Sequence, residues 1–120
     1  MNEPMKVAIL SSRTAPLYYD LLDKKINSLI ETSQCYLFYI LCGFTEGRND
    51  SPKTLGELWA EKRGAPTLYI SEKTTEALLR KTFLVADYVI FLIDGNPIIN
   101  KALMQYKMMG KHGSIIKVNE

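Results

Sequence analysis

The sequence predicts an α/β domain, a three-layer sandwich in which a five-stranded parallel sheet carries helices on both faces. Two observations lead there. Val7-Ala8-Ile9-Leu10 and Tyr88-Val89-Ile90-Phe91-Leu92-Ile93 are apolar without polar alternation, as strands buried on both faces are. Apolar runs and helically spaced segments then alternate strictly along the chain, the pattern of parallel sheets with crossover helices.

The first strand is read over Lys6–Ser11 and its helix over Pro16–Thr32, where Leu17, Leu21, Leu22, Ile26, Leu29 and Ile30 keep helical spacing. A second strand at Tyr36–Cys42 is followed by a helix at Pro52–Arg63, with Leu55, Leu58 and Trp59 as its apolar stripe. Ser51-Pro52 supplies a capping hydroxyl and a proline suited to the first helical position, and Gly64 a left-handed close. Thr67–Ser71 and Thr75–Val85 form the third pair, and Tyr88–Asp94 and Pro97–Met109 the fourth. Asn96-Pro97 repeats the cap-and-proline signature, and Gly110 the close. Ser114–Val118 is the last strand. Right-handed crossovers with connections this short favour strand order 3-2-1-4-5, a Rossmann-like winding that reverses between strands one and four. Residues 1–120 are expected to form one such domain, with Met1 to Met5 as a loose lead-in.

Composition narrows the function classes. Of 120 residues, 47% are apolar and 23% charged, which suits an ordinary soluble globule. The net charge of +2 is small and its basic residues scattered, so nucleic acid is not expected as a partner. Lys24-Lys25, Lys62-Arg63 and Arg80-Lys81 fall late in helices, where cations suit the macrodipole. Cys35 and Cys42 make neither a disulfide framework nor a metal motif. No cationic leader or membrane-length apolar run is present, so a cytoplasmic setting with no membrane partner is expected.

In sheets of this kind, ligands bind outside the carboxyl ends of the strands where the winding reverses. Three loops reach that place. The first carries Ser11, Ser12, Arg13 and Thr14, whose hydroxyls, guanidinium and following helix start suit an anion. As turn formers and a surface charge, the same residues would do no more than end a strand. The second carries Gly43, Thr45, Glu46 and Gly47, with glycines that let the backbone bend close to a ligand. Its spacing is neither the dinucleotide fingerprint nor the P-loop, and a plain polar loop is the competing reading. The third is Asp94-Gly95-Asn96-Pro97: Asp94 faces the crevice or caps nearby amides, and Asn96 is most simply a helix cap.

Outside these loops, structural readings prevail. His112 lies in a turn on the side opposite the crevice, and Cys42 has no histidine to activate it. Tyr18 and Tyr19 follow the first loop, where either could stack on a base. Met104, Met108 and Met109 with Ile99 and Tyr106 make the fourth helix apolar on more than one side, as a core face plus a homodimer contact would.

The chain resembles the SLOG superfamily, the Rossmann-like group that includes the DprA/Smf and LOG proteins, and most closely its small YspA/YpsA-like members. Val7-Ala8-Ile9-Leu10-Ser11-Ser12-Arg13 is similar to the family's strand ending in Gly-Ser-Arg. Thr54-Leu55-Gly56-Glu57-Leu58-Trp59-Ala60 with Gly64-Ala65-Pro66 is similar to its helix after the glycine loop, and Ala86-Asp87-Tyr88 through Asp94-Gly95 to its strand leading into an acidic-glycine loop. The chain departs from the pattern at Ser11 for glycine, Cys42-Gly43 for Gly-Gly, Lys53 for the aspartate before Thr-Leu, and Asn96 through Asn100 for a Gly-Thr step.

The resemblance implies binding of a nucleotide or nucleotide derivative, such as an ADP-ribose-like molecule or nucleoside phosphate, by a sensor or sequestering module. On that reading Ser11, Ser12, Arg13, Gly43 and Gly47 hold phosphate, Glu46 or Asp94 contacts ribose, and Thr14, Thr45, Gly95 and Asn96 complete the site. No metal and no resident cofactor is expected. The enzyme alternative is an N-glycosidase or deoxyribosyltransferase with Glu46 or Asp94 as its carboxylate. A flavin binder and a purely protein-binding module are weaker alternatives.

Overall fold

The structure, a computed structural model, describes residues 4–33, 38–45, 53–111 and 113–119. Its elements run β1 (Met5–Leu10), α1 (Pro16–Ser33), β2 (Phe38–Thr45), α2 (Leu55–Arg63), β3 (Thr67–Glu72), α3 (Thr75–Val85), β4 (Tyr88–Ile93), α4 (Pro97–Met108) and β5 (Gly113–Lys117). The five strands form one parallel sheet in the order β3-β2-β1-β4-β5, as the alternation predicts. The winding reverses between β1 and β4, which pair from Val7↔Tyr88 to Leu10↔Phe91.

Side chains alternate across each central strand, and both faces are covered. Val7, Ile9, Ile90 and Leu92 enter one core with Tyr18, Leu22 and Ile26 of α1 and Leu55, Trp59 and Ala60 of α2. Ala8, Val89 and Phe91 enter the other with Phe83 of α3 and Ile99, Ala102 and Tyr106 of α4. The rings of Phe83 and Tyr106 lie 5.0 Å apart in a tilted contact, and Phe91 meets both. Trp59 is buried in the α2 stripe, and its indole N–H donates to Asp23 Oδ1 at 2.9 Å. Arg63 also grips Asp23, through Nη2 at 2.6 Å and 2.5 Å, so this exposed late-helix cation ties α1 to α2 at the surface. Burial opposes the Asp23 charge, but the Arg63 and Trp59 donors outweigh it and hold the carboxyl below its ordinary value.

Several boundaries differ from the sequence reading, each for a local reason. β2 continues three residues past Cys42, because β3 pairs with it as far as Thr45↔Glu72. Gly43 and Thr45 therefore belong to a strand, not to the loop that follows it. A Cβ on Gly43 would lie 3.0 Å from Leu78 Cδ1, so the close approach that its missing side chain permits is that of a core leucine. α2 begins at Leu55, not Pro52, since Thr54 and Glu57 form a capping box: Glu57 N donates to Thr54 Oγ1, and Thr54 N to Glu57 Oε1. Ser51 and Pro52 lie outside the described residues. β1 and β4 each stop one residue early, which frees Ser11 and Asp94 from the sheet.

α4 is apolar on two sides, as its composition predicts. Ile99, Ala102 and Tyr106 are buried, while Ile98, Met104 and Met108 are 67%, 63% and 87% exposed. Met109 packs against the core instead. Among the described residues, no helix is long and apolar enough to cross a membrane.

Candidate functional site

The β1–α1 and β4–α4 turns leave neighbouring strands at the winding reversal, and their side chains join. Ser12 Oγ donates to Asp94 Oδ2 at 2.6 Å across 82 residues of sequence. Tyr18, from the first turn of α1, donates its phenol to the same oxygen at 2.7 Å. Both distances fall in the range of charge-assisted O–H···O bonds. Arg13 Nε stands 3.9 Å from that oxygen, and Asn96 N donates to Oδ1 at 3.1 Å.

The Asp94 side chain is only 11% exposed, so it forms a wall more than a surface. Its carboxyl is held down to about 2, chiefly by the Ser12 hydroxyl, then by the Tyr18 phenol; burial works the other way, and Asn96 N–H and Arg13 add to the lowering. Of the two sequence readings of Asp94, facing the crevice or capping amides, the bond from Asn96 N is of the second kind. A carboxyl so acidic carries no proton at neutral pH and cannot serve as a general acid.

Other side chains in the two turns are committed locally. Ser11 Oγ accepts from Arg13 N at 3.3 Å and donates to Arg13 O at 2.7 Å, a turn that folds the loop back on itself. Asn96 Oδ1 accepts from Ile98 N at 2.9 Å and Ile99 N at 3.4 Å, which caps α4 as expected. Gly95 has φ of 93°, in the left-handed region, where a side chain would strain the turn. Arg13, with 59% of its side chain exposed and its Nε 3.9 Å from Asp94 Oδ2, lies in the same turn as the exposed Thr14.

The start of α1 differs from the other helix starts. Thr54, Thr74 and Asn96 cap α2, α3 and α4 with their own side chains. No side chain among the described residues caps α1. There, the backbone amides of Thr14, Ala15 and Leu17 donate to none of the described residues, and Pro16 has no amide hydrogen. An 18-residue helix thus presents amides and the positive end of its dipole at the reversal between β1 and β4, in the same turn as a guanidinium.

The structure therefore brings together Ser11, Ser12, Arg13 and Thr14 with Asp94, Gly95 and Asn96. Gly43 and Thr45 lie on β2, next to β1 in the sheet and held by its pairing with β3. Glu46 and Gly47 lie outside the described residues, as do Cys35 and His112. Tyr18 is fully buried and offers no face to a base, contrary to one reading of it. Its role was legible in spacing: Tyr18, Leu22 and Ile26 fall on one helical stripe, and a tyrosine there needs a partner for its hydroxyl. Tyr19 turns toward α2, where Lys62 Nζ lies 4.5 Å from its ring centroid. Burial, reinforced by the Glu57 charge, pushes the Cys42 thiol up to about 12, leaving no thiolate for chemistry. Among the described residues, no group of three His, Cys, Asp or Glu could hold a metal ion. No protein-family model matches this chain, and no curated protein matches it in sequence.

Proposed function

We propose that this protein binds a nucleotide or nucleotide derivative, of the ADP-ribose or nucleoside phosphate type, with its phosphate over the β1–α1 turn. The observation that carries this reading is the pairing of exposed Arg13 with the uncapped amides of α1 at the reversal between β1 and β4. Guanidinium and helix-start amides are complementary to phosphate in charge and in hydrogen-bond direction. The local resemblance to SLOG proteins at Val7–Arg13 supports the same ligand class.

Binding is favoured over N-glycosidic cleavage by Asp94 because that carboxylate is largely covered and already accepts from Ser12, Tyr18 and Asn96. A carboxylate so engaged is a poor nucleophile and has no proton to give a leaving base. The protein then acts as a sensor or sequestering module in a reducing, cytoplasmic setting. The exposed Ile98, Met104 and Met108 of α4 support a homodimer.

Isothermal titration of the purified protein with ADP-ribose, AMP and adenosine tests this directly. Saturable binding of the two phosphorylated compounds, with adenosine much weaker, is expected. Equal binding of all three, or of none, rejects it. Incubation with nucleoside monophosphates, followed by chromatography for free base, is expected to show no release.

A further inference from the structure

We infer that Tyr18 is a positioning residue, which acts through Asp94 to hold the Ser11–Thr14 turn where Arg13 and the α1 amides meet an anion. The inference rests on the binding reading above and deepens it. An anion site with a carboxylate in its wall is at first sight self-defeating, since a fixed negative charge repels the ligand. The geometry resolves this. Asp94 Oδ2 receives two hydroxyl donors, Ser12 at 2.6 Å from the turn itself and Tyr18 at 2.7 Å from the core. Asn96 N satisfies Oδ1 at 3.1 Å. With both oxygens engaged by these donors and Arg13 Nε 3.9 Å from Oδ2, the carboxylate's charge is met within the protein.

The donors differ in how firmly they are held. Tyr18 has no exposed surface and packs with Leu22 and Ile26 in the core between the sheet and its first two helices, so its hydroxyl is fixed by packing. Ser12 is exposed, on an irregular turn. The order of rigidity thus runs from core to Tyr18, to Asp94, to Ser12, and from there to Arg13 next in the chain. Because Asp94 directly follows β4 while Ser12 lies in the β1–α1 turn and Tyr18 in the first turn of α1, the three-residue clasp also closes the seam at the winding reversal. Position is what it supplies: a guanidinium on a free loop loses rotamer and backbone freedom on gripping phosphate, and a pre-set one loses less.

The test uses the full chain carrying Tyr18→Phe, which keeps the buried ring and removes only the hydroxyl, and Ser12→Ala, which removes the other donor without touching the core. In each, three readouts are taken: the titration midpoint of the Asp94 carboxyl by carbon NMR, the hydrogen exchange of the Ser12, Arg13 and Thr14 amides, and the affinity for ADP-ribose. Both variants are expected to raise the Asp94 midpoint, speed exchange in the turn and weaken ADP-ribose by about two- to tenfold, the scale of ordering one loosened side chain on binding. Tyr19→Phe, on the same helix but turned to α2, is expected to change none of them.

An Asp94 midpoint and turn exchange unmoved by Tyr18→Phe overturn the positioning role, whatever the affinity does. Faster exchange with unchanged ADP-ribose affinity overturns its service to binding. A parent protein that binds no ADP-ribose overturns the binding reading itself, and is seen before any variant is made.

Discussion

Replacing Arg13 by alanine removes the only side-chain cation of the β1–α1 turn while leaving the clasp of Ser12, Tyr18 and Asp94 in place. A hydrogen bond to a charged group contributes about 1.5–3 kcal/mol. Two features of the site put Arg13 near the bottom of that range. Its side chain is 59% exposed, so water screens the contact, and gripping phosphate means loosening the 3.9 Å approach to Asp94. About 1.5 kcal/mol corresponds to roughly a tenfold rise in Kd. Isothermal titration of parent and Arg13→Ala with ADP-ribose at low salt measures this, and adenosine serves as the uncharged comparison. The difference should shrink at 1 M salt, where the screening length falls to about 3 Å. Equal ADP-ribose affinity in the two proteins refutes the assignment of Arg13. So does an equal loss for adenosine, which would mean a general disturbance of the crevice.

Three further outcomes are expected. Because the folded Asp94 carboxyl sits at about 2 against an ordinary 3.8, the fold favours its ionised form. That contribution is complete above the ordinary value and is lost as pH falls from about 4 to 2. Urea midpoints of the parent should exceed those of Asp94→Asn by a constant margin from about pH 7 to 5, and the margin should close below about pH 4; a margin that grows in acid contradicts this. Phe83→Ala, which empties the centre of the Phe91–Tyr106 cluster, should cost about 3–5 kcal/mol in urea unfolding, and a cost below about 1 kcal/mol would contradict the packing. Replacing Met104 and Met108 together by lysine should convert a dimer to a monomer in sedimentation velocity; a parent that already sediments as a monomer rejects the α4 contact.

The sheet order was legible because its central strands have nothing polar to spare. Six apolar residues in a row at Tyr88–Ile93 require cover on both faces, and Val7–Leu10 beside them requires the same. Neighbouring β1 and β4 then bring Ser12 and Asp94 together, although 82 residues separate them. What single-residue reading obscured was side-chain commitment. Ser11, Ser12 and Asn96 are all plausible ligand donors by type, yet Ser11 and Asn96 close their own turns and Ser12 binds Asp94. Its place after the loop suits Tyr18 to a base platform, but its spacing with Leu22 and Ile26 puts it in the core. Gly43 reads as a strand end by residue type, whereas continued pairing with β3 carries β2 through it to Thr45. At the start of α2, Ser51-Pro52 carries a cap-and-proline signature, but the Thr54-x-x-Glu57 capping box two residues past the proline sets the boundary.

The central claim is that the β1–α1 and β4–α4 turns form one anion-binding crevice. An amide NMR titration of the isotopically labelled full chain with ADP-ribose tests it most directly. Saturable shifts concentrated at Ser12, Arg13, Thr14, Leu17, Gly95 and Asn96, with one common Kd, are the predicted result. Shifts confined to residues away from these two turns, or none at millimolar ligand, would contradict it.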